Sequence, residues 1–311
     1  VSGAPRHEAV RGLIPMTARS APSSVLVPLL EQLGSSMPTP PPAPATLLIT
    51  VTADDAFAMG FDHIALAAGA GKPTVLELPN GLANGVRTAS DFLMALQLTG
   101  AAKADSLANM QVRLPVVVVG GGLTAIDTAT ESLAYYPIQV EKFLKRYEAL
   151  VAEHGREAVE RSWSQEERAI AEEFLSHAYA IRSERDEAAT EGREARIVPL
   201  LQSWGGATIA YRRLLVDSPS YTLNHEEVEK ALEEGIWFGE GLTPLAIEVD
   251  AHGHAAGLKV SQHHNDGDGV WHEYGRTTLP ARTILIAAGT QPNTVLARED
   301  GVRLRTRGDQ D

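Results

Sequence analysis

A glycine-rich stretch offers the clearest chemistry in the chain, because it directly follows four consecutive valines, Val116–Val119. Gly120, Gly122 and Ala125 fit the spacing G-x-G-x-x-A, which is typical of the turn between a buried strand and a dinucleotide-binding helix. The first glycine permits a tight turn, the second lets the backbone approach a pyrophosphate, and the alanine lets the helix pack closely. N–H groups at the helix start would face the phosphates. The stretch therefore predicts a dinucleotide site, and the alternative is a glycine-rich turn that binds nothing.

A pair of arginines supplies the second candidate for ligand binding. Arg212 and Arg213 occur where the apolar segment 207–211, a predicted second strand, comes to its end. An acidic residue at this position would bind the ribose 2′-hydroxyl of NAD, whereas arginine suits the 2′-phosphate of NADP. The pair therefore favours NADPH over NADH, and the alternative is a surface arginine pair.

The residues between these two motifs predict a helical hairpin. Apolar side chains recur at helical spacing in two runs between Tyr135 and about Gln202, and Ser164 and Glu167 have the spacing of a capping box between the runs. We therefore predict a helical insertion over residues 136–203. Its many charges favour a solvated face, and a docking surface for a protein partner is the alternative.

Composition narrows the classes of function. A net charge of −13 and a pI near 5.2 argue against nucleic acid or an anionic membrane as partner. The chain has no cysteine, which excludes a redox disulfide, a thiolate nucleophile and an iron–sulfur cluster held by this chain, and fits a cytoplasmic protein. No apolar run reaches the length of a membrane span, and the first residues lack the pattern of a signal peptide.

Two apolar segments outside the fingerprint resemble each other. Residues 1–45 are proline-rich and predict an irregular leader, and a first strand is predicted over 46–51. Segment 61–70 predicts a buried strand, and segment 282–292 repeats its shape, so that each places Ala-Ala-Gly after an apolar run. Small residues would let a strand end lie close to a cofactor. The candidate positions at these two strand ends are Ala68, Gly69, Ala288 and Gly289.

The remaining elements are shorter. Helices are predicted over 90–98 and over 225–234, the second capped by Asn224 and Glu227 and ended by Gly235. Short strands are predicted over 236–238, 245–249, 257–260 and 270–274, and the polar run 263–268 is predicted to be a turn.

Two other kinds of site find weaker support. His263, His264, Asp266, Asp268 and His272 could bind a metal, but their spacing matches no standard site, so a polar hairpin is preferred and no metal is predicted. Ser218 or Ser220 with Asp217 and a histidine could form a hydrolytic triad, yet the chain has no G-x-S-x-G elbow. An ester or lactone hydrolase is thus a further alternative.

The order of these pieces resembles the FAD-dependent pyridine nucleotide oxidoreductases, especially proteins like the small subunit of glutamate synthase. The most specific match is the stretch from Val119 to Asp127. Further matching segments are 61–73, 85–93, 114–127, 208–213, 226–236 and 279–293. The family's opening strand–GxGxxG–helix and its later Gly-Asp segment near the flavin are not matched, so we expect a family member shortened at both ends.

The resemblance implies a fold, cofactors and roles for residues. It implies an α/β fold with a Rossmann-like NADPH domain over 91–289, carrying the insertion, and a partial FAD-domain-like portion over 46–90 and 290–311. In the family, hydride passes from NADPH to FAD and electrons pass onward to an acceptor. FAD is a second candidate cofactor here, although its own motif is absent. The implied NADPH-binding residues are Gly120, Gly121, Gly122, Leu123, Thr124, Ala125, Arg212 and Arg213, with Ala68, Gly69, Ala288 and Gly289 near the cofactors.

The sequence thus predicts an NADPH-dependent oxidoreductase with an unknown electron acceptor. The main alternative is a non-catalytic fragment or interaction module of a larger oxidoreductase. Hydride transfer requires no side-chain acid or base from this chain, so no catalytic residue is predicted.

Overall fold

The computed structural model describes residues 53–65, 67, 69–70, 72–267 and 269–291. The chain divides into two units, and one of them spans Lys72–Gln291. The predicted leader over residues 1–45 and the predicted strand over 46–51 lie outside the described residues. Residues 72–90, which the resemblance assigns to the FAD-type portion, lie in the same unit as the glycine-rich stretch.

The described part of the chain contains both helices and strands. The helices are α1 (Ala53–Ala58), α2 (Ala89–Leu98), α3 (Leu123–His154), α4 (Arg156–Glu160), α5 (Gln165–Glu191), α6 (Ile197–Ser203) and α7 (Pro219–Glu233). The strands are β1 (Lys72–Pro73), β2 (Val86–Thr88), β3 (Val116–Val119), β4 (Ala207–Ala210), β5 (Trp237–Gly239), β6 (Leu242–Val249), β7 (Ala255–Asn265), β8 (Trp271–Pro280), β9 (Thr283–Ile286) and β10 (Thr290–Gln291). None of these helices is both long and apolar enough to cross a membrane.

A five-stranded parallel sheet forms the centre of the larger unit, in the order β2-β9-β3-β4-β5. All four valines of β3 are buried, because both faces of the sheet are covered. Val116 and Val118 pack in a core with residues of α2 and α3, whereas Val117 and Val119 pack with residues of β6 and β7. The predicted mixed α/β fold with a parallel sheet is confirmed.

A second, antiparallel sheet covers the face of the parallel sheet opposite to the helices. Its order is β6-β7-β8, with β7 in the middle. Ile247 on β6 and Leu258 and Val260 on β7 are buried and face Val117 and Val119. The strands are longer than the sequence predicts: His263 and His264, assigned to a turn, belong to β7. Apolar and polar residues no longer alternate regularly there, so the sequence did not predict that the strand continues through His263 and His264.

The predicted helical hairpin forms from α3 and α5. Helix α3 runs for 32 residues from the glycine-rich turn and continues through Pro137, so the insertion prolongs the fingerprint helix without a break at residue 136. Helix α5 begins with the predicted capping box, in which Ser164 and Glu167 bond reciprocally to each other's backbone N–H. Gly192 ends it in a left-handed conformation with φ 68°.

One predicted element is wrong in the structure, and another begins earlier than predicted. The described residues of 61–70 form no strand, and most of them, including Ala65 and Ala67, are exposed. An apolar run becomes a buried strand only where other strands or a layer cover it, and no partner strand pairs with these described residues. The helix predicted over 225–234 begins earlier, at Pro219, with Ser218 as its N-cap. Asn224, predicted as the cap, instead has non-helical angles (φ −156°, ψ 79°) at a kink inside α7.

A partly buried aromatic cluster joins the helical hairpin to the core beside the parallel sheet. The Tyr136 hydroxyl lies 2.6 Å from Nδ1 of His177, and the His177 ring stacks on Trp204 with centroids 3.8 Å apart. Burial lowers the pKa of His177, an effect that the nearby Glu173 carboxylate partly opposes. Burial also raises the pKa of Tyr136, so its hydroxyl keeps its proton and shares a hydrogen bond with the His177 ring.

This cluster predicts a pH dependence of stability. Because the pKa of His177 is lower in the folded state than the roughly 6.5 of an unfolded chain, the unfolded state takes up the proton more readily. The stabilisation is complete above about pH 6.5 and is lost as the pH falls below it. We expect His177→Asn to lower the free energy of unfolding at pH 8 and to flatten its decline between pH 6.5 and 5, measured by urea titration. An unaltered decline in His177→Asn would contradict the assignment.

Candidate functional site

Four parallel strands end at the same edge of the central sheet. Pairing of Val119 with Ala210 and with Ile286, and of Ala210 with Gly239, aligns the carboxyl ends of β3, β4, β9 and β5. Ligands of open α/β sheets bind beyond such carboxyl ends. The segments that leave this edge are Gly120–Gly122, Tyr211–Arg213, Glu240 and Ala287–Gly289.

The first glycine of the turn is required by close packing between strands. Gly120 has φ +153°, and a Cβ atom there would lie 2.3 Å from the carbonyl oxygen of Ala287. The N–H of Ala287 donates to Val119 at 2.8 Å, and the N–H of Gly120 donates to Ala210 at 3.1 Å. The turn is therefore wedged between the ends of β9 and β4, as the tight turn of the fingerprint requires.

The second residue of the turn lies beneath an aromatic ring. A Cβ atom at Gly121 would meet the ring of Tyr211 at 2.3 Å, so the tyrosine lies directly against the backbone of the turn. The carbonyl of Gly121 accepts a hydrogen bond of 3.0 Å from the N–H of Ser220, at the start of α7. Contacts from β4 and α7 thus fix the position of the turn.

The third glycine opens onto free space. A Cβ atom at Gly122 would meet nothing within 4 Å in the described part of the chain. Gly122 is also the N-cap of α3, with φ −92°, and provides no side chain for the helix start. The N–H groups of Leu123 and Thr124 have no partner within the helix, and they point out of its N-terminal end. An open backbone beside unpaired N–H groups fits the pyrophosphate of a dinucleotide.

The arginine pair lies at the same edge, directly after β4. Arg212 and Arg213 are exposed, and neither forms an ion pair with another described residue. The carbonyl of Arg213 accepts a hydrogen bond of 3.2 Å from the N–H of Gly241, which holds the backbone of the pair in place. In a chain with a net charge of −13, two exposed arginines without acidic partners are suited to an anionic ligand.

The other predicted site residues divide between the two units. Ala125 is fully buried, as close packing of α3 on the sheet requires. Ala288 and Gly289 follow β9 at the carboxyl edge, and Gly289 accepts a hydrogen bond from the N–H of Thr74 at 2.9 Å. Gly69 belongs to the other unit, and Ala68 lies outside the described residues.

Sequence reasoning missed two residues of this edge. Tyr211 covers Gly121, and Glu240 accepts a hydrogen bond of 2.6 Å from the N–H of Leu215, close behind the arginine pair. Tyr211 directly follows β4, and Glu240 directly follows β5. Because the carboxyl ends of parallel strands lie at one edge of the sheet, the position of these residues in the sequence could have predicted that they lie at the candidate site.

The described residues have neither the geometry of a metal site nor that of a hydrolytic triad. In the ranges that the structure describes, no group of three or more His, Asp or Glu side chains could hold a metal ion. Asp268 lies outside those ranges. Ser218 and Ser220 are buried with their hydroxyls 3.0 Å apart, and no described histidine bonds to either hydroxyl. Ser218 instead caps α7 through the N–H of Tyr221.

The surface of the hairpin is mostly charged and internally paired. Arg182 bonds to Glu148 in two contacts of 2.8 and 2.9 Å, and Arg185 lies 3.2 Å from Glu141. These pairs support the prediction of a solvated face. A hollow of about 810 Å³, lined by Phe143, Tyr147, Leu150 and Trp163 among others, lies between α3, α4 and the connection that precedes α5. A protein partner for the hairpin stays a prediction.

Comparison with known proteins finds one curated relative and many solved structures. No family model matches the chain. The chain is 38% identical over 256 residues to the uncharacterized protein RP006 of Rickettsia prowazekii (strain Madrid E). The aligned region covers 78% of this chain and 34% of the relative. The chain thus spans about a third of the length of that relative.

Several similar solved structures are named as reductases or oxidoreductases, and the three that follow have low sequence identity to this chain. A ferredoxin reductase of the CYP199A2 system from Rhodopseudomonas palustris is 13% identical, with a TM-score of 0.35 and coverage of 75% of this chain and 36% of that one. FprA from Mycobacterium tuberculosis in complex with NADPH is 14% identical, with a TM-score of 0.34 and coverage of 72% and 49%. A FAD-dependent pyridine nucleotide-disulphide oxidoreductase from Desulfovibrio vulgaris is 16% identical, with a TM-score of 0.35 and coverage of 75% and 37%.

These values are too low to carry an argument about function. The α/β architecture is evident in the sheet of this chain itself, and the candidate site depends on its own glycines and arginines. Membership of the FAD-dependent pyridine nucleotide oxidoreductases stays a prediction.

Proposed function

We propose that the carboxyl edge of the parallel sheet binds NADPH and that the chain is part of an NADPH-dependent oxidoreductase. The observation that carries the proposal is the open backbone at Gly122, which lies at the start of α3 and at the same edge as two arginines that form no ion pair with a described residue. A glycine-rich turn without a ligand would explain Gly120, where a side chain would clash, but not Gly122, where an added Cβ atom would meet no described atom within 4 Å.

Each group at the edge has a distinct task in this proposal. The N–H groups of Leu123 and Thr124, beside Gly122, would bind the pyrophosphate. Arg212 and Arg213 would bind the 2′-phosphate, since guanidinium groups form strong, charge-assisted hydrogen bonds to phosphate oxygens. Tyr211 would hold the turn in its binding conformation by packing on Gly121.

The redox chemistry would come from the cofactors rather than from side chains. When bound, NADPH supplies a hydride, which the proposed family passes to FAD and onward to an acceptor. The chain's own residues bind and orient the nucleotide, and the proposal assigns no described residue to FAD. Because the aligned region covers only 34% of the curated relative, the proposal concerns the binding of the nucleotide by this chain and names no electron acceptor.

Titration with nucleotides tests the proposal directly. We expect the purified chain to bind NADPH more tightly than NADH, measured by quenching or enhancement of nicotinamide fluorescence. The double variant Arg212→Ala/Arg213→Ala should raise the Kd for NADPH about tenfold or more, because each charge-assisted hydrogen bond contributes about 1.5–3 kcal/mol. Its Kd for NADH should change little, since NADH lacks the 2′-phosphate. A visible spectrum recorded before the titration would show whether the chain also carries a flavin.

Two variants serve as matched controls. Gly122→Ala should weaken NADPH and NADH alike, because the added methyl group enters the space proposed for the pyrophosphate. Arg276→Ala, at an exposed arginine of β8 that pairs with Glu273, should leave both affinities unchanged. An absence of saturable NADPH binding at millimolar concentration would overturn the proposed function.

A further inference from the structure

The loop that carries the arginine pair is fastened to the turn between β5 and β6. The N–H of Tyr211 donates to the carbonyl of Gly239 at 2.8 Å, and the N–H of Leu242 donates to the carbonyl of Tyr211 at 2.8 Å. The N–H of Gly241 donates to the carbonyl of Arg213 at 3.2 Å. Three backbone bonds therefore run along the segment that presents the arginines.

A side chain supplies the fourth bond. The Glu240 carboxylate accepts the N–H of Leu215 at 2.6 Å, and Leu215 begins the short 3₁₀ helix Leu215–Asp217. The N–H at the start of such a helix has no partner within it, so Glu240 caps the element that follows Arg213. This bond closes the far end of the loop, which the backbone bonds hold only up to Arg213.

The turn itself is braced by the antiparallel sheet. The N–H of His263 on β7 donates to the carbonyl of Gly241 at 2.8 Å. Gly241 has φ +66°, and a Cβ atom there would lie 2.1 Å from the carbonyl oxygen of His263. The turn is thus fixed from one side by β7, and from the other side it holds the arginine loop.

We propose that Glu240 is a positioning residue for NADPH recognition, which holds the loop of Arg212 and Arg213 in place for the 2′-phosphate. The inference rests on the proposed function, since it deepens the same site. Glu240 acts through the backbone of Leu215 and does not itself bind the nucleotide. Replacing Glu240 should therefore weaken binding only when the new side chain cannot accept a hydrogen bond. The loss should affect NADPH and not NADH, because only NADPH carries the 2′-phosphate.

Three variants of the full chain separate this role from others. Glu240→Ala removes the acceptor, and should raise the Kd for NADPH about five- to tenfold, the size of one hydrogen bond, while the Kd for NADH stays unchanged. Glu240→Gln retains an acceptor oxygen without the charge, and should restore most of the affinity. Glu248→Ala, which removes a carboxylate of β6 that pairs with Lys259, should change neither Kd.

A second measurement does not depend on the nucleotide. Hydrogen exchange of the Leu215 amide, followed by NMR, should be slow in the unaltered chain and in Glu240→Gln, and clearly faster in Glu240→Ala. If the unaltered chain binds no NADPH, the proposed function fails, whereas Leu215 exchange still decides whether Glu240 holds the loop. Unchanged Leu215 exchange in Glu240→Ala, or equal losses for NADPH and NADH, would overturn the inference.

Discussion

Gly120→Ala is expected to cost about 3 kcal/mol or more of folding free energy, among the largest effects of a single added methyl group in this chain. The new Cβ atom would lie 2.3 Å from the carbonyl oxygen of Ala287 and 2.8 Å from its carbon. Both are backbone atoms of a central strand end, so neither can rotate away. The backbone at Gly120 also has φ +153°, which an L-residue rarely adopts.

The clash would separate the ends of β3 and β9. The bond from Ala287 to Val119, at 2.8 Å, and the bond from Gly120 to Ala210, at 3.1 Å, depend on this close approach. We expect Gly120→Ala to lower the midpoint of urea unfolding strongly and to abolish nucleotide binding together with it.

Gly122→Ala is the matched control for this prediction. It adds the same methyl group two residues further on, where φ is −92° and no described atom lies within 4 Å. Its cost should be below about 1 kcal/mol, the loss of a favourable glycine N-cap. Equal destabilisation by the two variants would show that the strand packing around Gly120 is not as close as described.

These glycines also show what a sequence can predict. The strand, the turn and the helix of the fingerprint are confirmed because their signal is local: β-branched residues, then glycines, then apolar residues at helical spacing. The hairpin helices are confirmed for the same reason, with Ser164 and Glu167 marking the start of one of them.

Predictions failed where a contact with a distant residue decides the outcome. The segment 61–70 is as apolar as β9, yet only β9 lies between two partner strands. The start of α7 is an exception, because it carries a local signal, Ser218 before Pro219, which the more regular spacing after Asn224 obscured. The contacts of Tyr211 with Gly121 and of Glu240 with Leu215 join different strand ends, and no local pattern encodes them.

The position of the hairpin depends on an ion-pair network of the same non-local kind. Glu173 of α5 accepts hydrogen bonds from Nε of Arg113 at 3.3 Å and from its Nη2 at 2.5 Å. Arg282, just before β9, lies 3.5 Å from the same carboxylate. The side chains of Arg113 and Glu173 are only 9% and 19% exposed, so little water can replace either partner. The backbone of Arg113 is also fixed, through two hydrogen bonds with the Thr283 hydroxyl.

Glu173→Ala is therefore expected to destabilise the chain by about 3 kcal/mol, because it leaves the Arg113 guanidinium buried without its counter-charge. The melting temperature should fall by several degrees, measured by circular dichroism. Glu148→Ala removes an equally bidentate carboxylate from the same hairpin, but Glu148 and Arg182 are 42% and 46% exposed. Water can solvate the remaining arginine there, so the cost should stay below about 1 kcal/mol. Similar losses in the two variants would contradict the view that burial of the Arg113–Glu173 pair, rather than the number of ion pairs, fixes the hairpin on the core of the parallel sheet.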